Sequence, residues 1–209
     1  MVLAAVNASP PAARAEETAR IHFLHAMKSK QEGDLLEAER LLQRAINLEP
    51  QNPDLYFELG NLHIERDRLE SARLELGQAV MIAPSHLAAH FNLGLVNRGL
   101  GRMSEARDEF RRVLELDPRN TRARLQIGYT YQAEGFTEDA RQAFETAGEM
   151  DASNPEPQRA LEDLEQFENE LAIHSSQEAA QAAFRNQGLL SQLRRGDPDA
   201  YSLDQKRNT

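Results

Sequence analysis

Along residues 19–154, apolar and small residues return at the spacing of amphipathic helices, and short polar turns interrupt them at regular steps. Several columns fall into phase. Bulky residues stand at Leu42, Leu76, Phe110 and Phe144, and small ones at Ala38, Ala72, Ala106 and Ala140. A second small series is Ala26, Gly60, Gly94 and Gly128, and a further apolar series is Ala45, Ala79, Val113 and Ala147. Turn residues recur at Gly33, Asp67, Gly101 and Gly135. Pro50, Pro84 and Pro118 lie 34 residues apart, and the next step lands on Ala152. The pattern predicts first helices near 19–31, 53–65, 87–99 and 121–133, each followed by a second helix near 35–48, 69–82, 103–116 and 137–150.

Each column answers a physical need. Small residues let paired helices approach, and Gly60 with Ala72 is expected to form one such close pair. Glycine inside a helix costs about 0.8–1.0 kcal/mol against alanine, so its recurrence calls for a packing reason. The turn column favours glycine because helices commonly end on a left-handed residue, a conformation that Asp67 also tolerates. Proline closes the second helix because it cannot continue one.

These phrases resemble the tetratricopeptide-repeat (TPR) family, whose arrays share this period. The second repeat shows Tyr56, Leu59, Gly60, His63, Ala72, Leu76, Ala79 and Pro84. The third shows His90, Leu93, Gly94, Asn97, Ala106, Phe110, Val113 and Pro118. Departures are His25, where Leu is usual, and Ala152, where the closing proline is missing. The resemblance covers residues 19–52, 53–86, 87–120 and 121–154. It implies an all-α fold, a right-handed α-solenoid of four TPR helix hairpins with a C-terminal capping helix, in a stand-alone bacterial protein.

The flanks read differently. Residues 1–17 are expected to be a flexible Ala/Pro-rich leader and a poor secretory signal. Pro155 and Pro157 open a segment, 155–187, in which Leu161, Leu164, Phe167 and Leu171 share one helical side and Glu162, Asp163, Glu165, Glu168 and Glu170 occupy the rest. This is the expected cap, reaching through Ala179–Phe184 to a stop at Gly188. Residues 188–209 read as a largely flexible tail, with Leu189, Leu190 and Leu193 as a short apolar patch.

Composition narrows the function classes. The chain has 209 residues, 28% of them charged, and a formal net charge of −10, which argues against broad affinity for nucleic acid or anionic membranes. With no cysteine, disulfides, thiol catalysis and zinc–thiolate sites are excluded. No apolar run approaches the roughly 20 residues that span a bilayer. The expectation is a cytoplasmic protein without membrane insertion, nucleic-acid partner, metal or cofactor.

In TPR proteins the first helices line a concave groove, so the resemblance implies a partner held there. In-phase residues distinct from the packing columns supply the candidates: Phe23, Phe57, Phe91 and Leu125; then Met27, Asn61, Leu95 and Tyr129; then Lys30, Ile64, Arg98 and Gln132. Spacings of four then three hold them on one helical face. Phe57, Phe91 and Tyr129 are the expected anchors for an amphipathic helix or an extended peptide. Some TPR co-chaperones grip acidic C-terminal peptides with a carboxylate clamp. Its positions here carry Asn61, Asn92 and Arg122, with Phe57 in place of the first Lys and Gln126 in place of the last Arg. Losing two cations removes most of the charge that holds a carboxylate.

Other patterns carry less. The stretch from Gly94 to Gly101 lacks the Lys-Ser/Thr ending of a phosphate loop. The pairs His22/His25 and His86/His90 have no HExxH companion, and the arginines between Arg107 and Arg124 alternate with acidic residues. The expected function is a non-enzymatic scaffold or adaptor in the assembly of a larger complex. The alternatives are a co-chaperone-like reader of acidic tails and a regulatory subunit acting in trans. Homo-oligomerisation through the tail or the first-repeat edge is also an expectation.

Overall fold

The structure, a computed structural model, describes residues 11–194. The described residues form helices joined by short turns, with no strand among them. The helices are α1 (Pro11–Gln31), α2 (Leu35–Leu48), α3 (Pro53–Glu65), α4 (Leu69–Ile82), α5 (Leu87–Gly99), α6 (Met103–Leu116), α7 (Thr121–Ala133), α8 (Thr137–Met150) and α9 (Glu156–Arg194). They divide into two compact units, the first ending at Gln158 and the second beginning at Arg159.

Helices α2 to α8 span the ranges that the periodicity predicts. The two terminal helices are longer than expected. α1 starts at Pro11, so residues 11–17 are helical where a flexible leader was expected. Proline fits the first helical position, where its missing N–H is not needed, and the Ala/Glu/Arg-rich stretch after it propagates a helix at little cost. α9 passes through Gly188 to Arg194. One glycine costs a helix only about 1 kcal/mol, and Pro198 is the next residue that cannot continue one. Residues 1–10 of the expected leader and 195–209 of the expected tail lie outside the described residues.

The joints repeat as the helices do. Asn52, His86 and Asn120 cap α3, α5 and α7, each accepting a backbone N–H with its side chain. Inside each expected hairpin the first helix closes on a left-handed residue: φ is 84° at Gly33, 54° at Asp67, 75° at Gly101 and 81° at Gly135. The next residue's N–H then reaches back to a carbonyl of the last turn, as in Arg68 to His63 at 2.8 Å and Arg102 to Asn97 at 2.8 Å.

In the first unit, α1 packs on α2, α3 on α4, α5 on α6 and α7 on α8, and each pair meets the next through α2/α3, α4/α5 and α6/α7. Ala38, Ala72, Ala106 and Ala140 are fully buried, as are Leu42, Leu76, Phe110 and Phe144. The glycine column explains itself here. A Cβ on Gly94 would stand 2.6 Å from Phe110 Cε1, and one on Gly60 would stand 2.7 Å from Leu76 Cγ. Leu76, rather than the expected Ala72, is therefore what presses on Gly60.

In the second unit, the expected apolar stripe of α9 is split. Leu164 is fully buried and Leu161 half-buried, whereas Phe167 and Leu171 are exposed.

Candidate functional site

Contacts between α3 and α5 and between α5 and α7 set these first helices side by side. The candidate groove residues follow from that adjacency, and the structure sorts them into two layers.

The inner layer is core. Phe91 is only 7% exposed; its ring meets Phe110 edge-on at 5.6 Å, and the Arg122 guanidinium covers it at 4.7 Å. Leu125 is 2% exposed. The expectation that Phe91 and Leu125 face an open groove is corrected: this column points at the seam between neighbouring helices, where large side chains fill space. Phe57 is half-buried, its ring 4.8 Å from His86, and it packs on the cluster of Leu76, Leu93 and Val96. Phe23 and Met27, both half-buried, pack on the first core cluster.

The outer layer remains partly open. Asn61, Ile64, Asn92, Leu95, Arg98 and Tyr129 are all half-buried, and Arg122 is exposed. Asn92 donates to Asn61 Oδ1 at 2.7 Å, tying α5 to α3 across this face. That bond uses one acceptor of Asn61 and leaves its own amide N–H groups uncommitted by it. Tyr129 meets Phe144 edge-on at 5.1 Å, and the Arg98 guanidinium lies 5.7 Å from its ring centre. Leu95 and Ile64 rest partly on the cores beneath them.

Charge divides this face. At the α1/α3 end, Lys30 pairs with Glu65 at 2.7 Å and Glu58 at 4.0 Å, so its charge is answered within the protein. Sequence reasoning placed Lys30 in the right column but missed these carboxylates. The signal was available, because Glu65 directly follows Ile64, which shares the Lys30 column. At the α5/α7 end, Arg98 and Arg122 lie against aromatic rings. Among the described residues neither forms an ion pair. Cation–π contact holds an arginine in place while leaving its N–H fork available to an anion.

Two histidines, His86 and His90, have structural partners. His86 caps α5 by accepting from Ala89 N at 3.2 Å and lies 3.3 Å from Asp54. His90 sits 2.6 Å from Glu109 and 3.1 Å from the Pro84 carbonyl, the role that Tyr56 plays toward Pro50. His63 is buried in α3, and burial together with the nearby Arg68 charge holds its pKa below the ordinary value. The glycines from Gly94 to Gly101 lie in α5 and its closing turn. Among the described residues, no helix is long and apolar enough to cross a membrane.

A family model described as tetratricopeptide repeat matches residues 30–93 and 98–164. No curated protein matches the sequence. Among solved structures, the chain is similar to a crystal structure of MamA protein at 19% identity, with 79% of this chain and 91% of that one covered and a TM-score of 0.69. It is similar to MamA 41-end from Desulfovibrio magneticus RS-1 at 16% identity, covering 81% and 96%, with a TM-score of 0.68. It is also similar to the first TPR of Spaghetti (RPAP3) bound to HSP90 peptide SRMEEVD, at 23% identity, covering 57% and 95%, with a TM-score of 0.55. At such identities the likeness is one of fold. The family model, the repeated joints and the paired helices agree, and the chain belongs to the tetratricopeptide-repeat family.

Proposed function

We propose that this protein is an interaction scaffold that holds a peptide or helix on the face formed by its first helices, within the repeats 19–52, 53–86, 87–120 and 121–154, in the assembly of a larger cytoplasmic complex. One observation carries the reading. The columns of Asn61, Leu95 and Tyr129 and of Ile64 and Arg98 stay half-open on adjacent helices, while the column beneath them is packed shut at Phe91 and Leu125. A surface of apolar anchors with amide and guanidinium donors suits a polypeptide with both side-chain and polar contacts. The chemistry present is that of binding: Arg98 and Arg122 lie against rings and Lys30 against carboxylates, and none of them is posed as a nucleophile beside a base.

Arg98 and Arg122, which form no ion pair among the described residues, favour acidic groups on the ligand, which keeps the co-chaperone-like reading as the second one. The RPAP3 domain among the similar structures is bound to a peptide containing acidic residues, and that match supports the reading only through the shared fold.

The test is affinity capture with the wild type and an Asn61→Ala/Leu95→Ala/Tyr129→Ala variant of the full chain. These positions lie in the outer layer, whereas truncating Phe91 would damage the core. Losing hot-spot anchors of this kind typically costs about 2 kcal/mol or more of binding, so the partner should drop out of the variant's capture. Capture of the same proteins in the same amounts by both chains would overturn the reading.

A further inference from the structure

We infer that the ligand of this face is the acidic helix α9 of a second copy of the chain, giving head-to-tail association. The inference rests on the groove reading above and names its partner.

Helix α9 presents one of the two surfaces. Phe167 and Leu171 are exposed and one turn apart, and Ile173 is exposed beyond them. Asp163 precedes Phe167 by four residues and Glu170 follows it by three, so both carboxylates flank the same ring on one helical face. Both are exposed, and Glu170 accepts one bond, from Gln166 at 3.1 Å. The helix thus offers an aromatic anchor between two carboxylates set seven residues apart, about 10 Å along its axis.

The first-helix face offers the complement at the same interval. Arg122 rests on the Phe91 ring and Arg98 on the Tyr129 ring. Phe91 and Arg98 are seven residues apart on α5, as Arg122 and Tyr129 are on α7. The two guanidinium groups therefore stand two helical turns apart, again about 10 Å. Between them on α5 lies the half-buried Leu95, an apolar floor for Phe167. Charge, spacing and apolar content all match. An apolar stripe left open between acids on a helix, facing cations that have no carboxylate partner among the described residues, is the pairing that burial of both would reward.

Because the two surfaces differ, the contact is heterologous, and successive copies add without an inherent stop unless a ring closes. That property makes the test decisive. The full chain is weighed by light scattering over rising concentration, beside a face variant, Arg98→Glu/Arg122→Glu, and a helix variant, Asp163→Lys/Glu170→Lys. Wild-type mass should climb with concentration and fall back toward one chain in high salt. Each variant alone should stay at one chain. Their equimolar mixture should stop at two chains, because the face variant supplies only an intact α9 and the helix variant only an intact face.

A wild type that remains a single chain, a helix variant that assembles as the wild type does, or a mixture that stays unpaired would each overturn the proposal. The helix variant changes only exposed side chains, so its behaviour reports on association rather than folding. A monomeric wild type whose captured partner is still lost from the Asn61/Leu95/Tyr129 variant would sink the α9 assignment and leave the groove reading standing.

Discussion

Helices α1 and α3 carry the same register into different surroundings. Ile21 and Leu55 occupy equivalent positions in the 34-residue period, yet Ile21 is 46% exposed and Leu55 only 3%. His25 is exposed where Leu59 is buried, and Lys28 is exposed where Leu62 is buried. Among the described residues, α2 covers that side of α3, and the same side of α1 carries polar residues at two of these three positions. In a solenoid each repeat contacts mainly its neighbours, so burial belongs to the position in the array and not to the residue type.

The sharpest way to break this comparison is to truncate both members. Leu55→Ala removes a buried side chain from between α2 and α3 and should cost about 2–5 kcal/mol, whereas Ile21→Ala should cost less than about 1 kcal/mol. Denaturant unfolding of the two variants checks it. Equal losses would mean that the α1 side is covered in solution.

Next in size is the close approach between paired helices. α1 carries Ala26 where α5 carries Gly94. Ala26 faces a pair whose bulky residue is Leu42, while the α5/α6 pair has Phe110. Gly94→Ala would drive a methyl to within 2.6 Å of the Phe110 ring, and overpacking of this sort costs about 1–3 kcal/mol. Combining it with Phe110→Leu should recover part of the loss, as thermal unfolding would show.

The smallest effect concerns the column Leu41, Glu75, Glu109 and Ala143. Leu41 is buried as an apolar side chain should be, but Glu75 is a half-buried carboxyl whose pKa burial raises above 4.5. The folded chain then holds that proton more tightly than the unfolded chain. The contribution to stability is present below the unfolded value and is lost as pH rises through the raised one. Glu75→Gln should therefore stabilise the protein at neutral pH, by less than about 1 kcal/mol because the carboxylate keeps part of its water. The advantage should vanish below pH 4.5, and a pH series of melting curves would reveal a constant gap if the assignment were mistaken.

Much of the architecture was readable in advance because repetition supplies its own alignment. Pro50, Pro84 and Pro118 set the phase, and the left-handed turns at Gly33, Asp67, Gly101 and Gly135 followed from local backbone chemistry. The ends were less readable. Pro11 looked like part of an unstructured leader and instead starts α1, because proline suits the first helical turn and the residues after it are good helix formers. The site was readable only by column. Spacing placed Phe91, Leu95 and Arg98 on one side of α5, but it did not tell a residue wedged at the seam from one standing above it.

By itself, then, the order of residues determined the helices, their pairing partners and the side of each first helix that looks away from its own hairpin, because those depend on local propensity and a period that repeats. Only the packed structure decided that Phe91 is sealed beneath Arg122, that Lys30 is neutralised by Glu58 and Glu65, and that Arg98 and Arg122 lie against aromatic rings with no ion pair among the described residues. Those outcomes depend on distances between helices that are remote in the chain, and no one-dimensional pattern encodes which of two neighbouring side chains arrives first at a shared space.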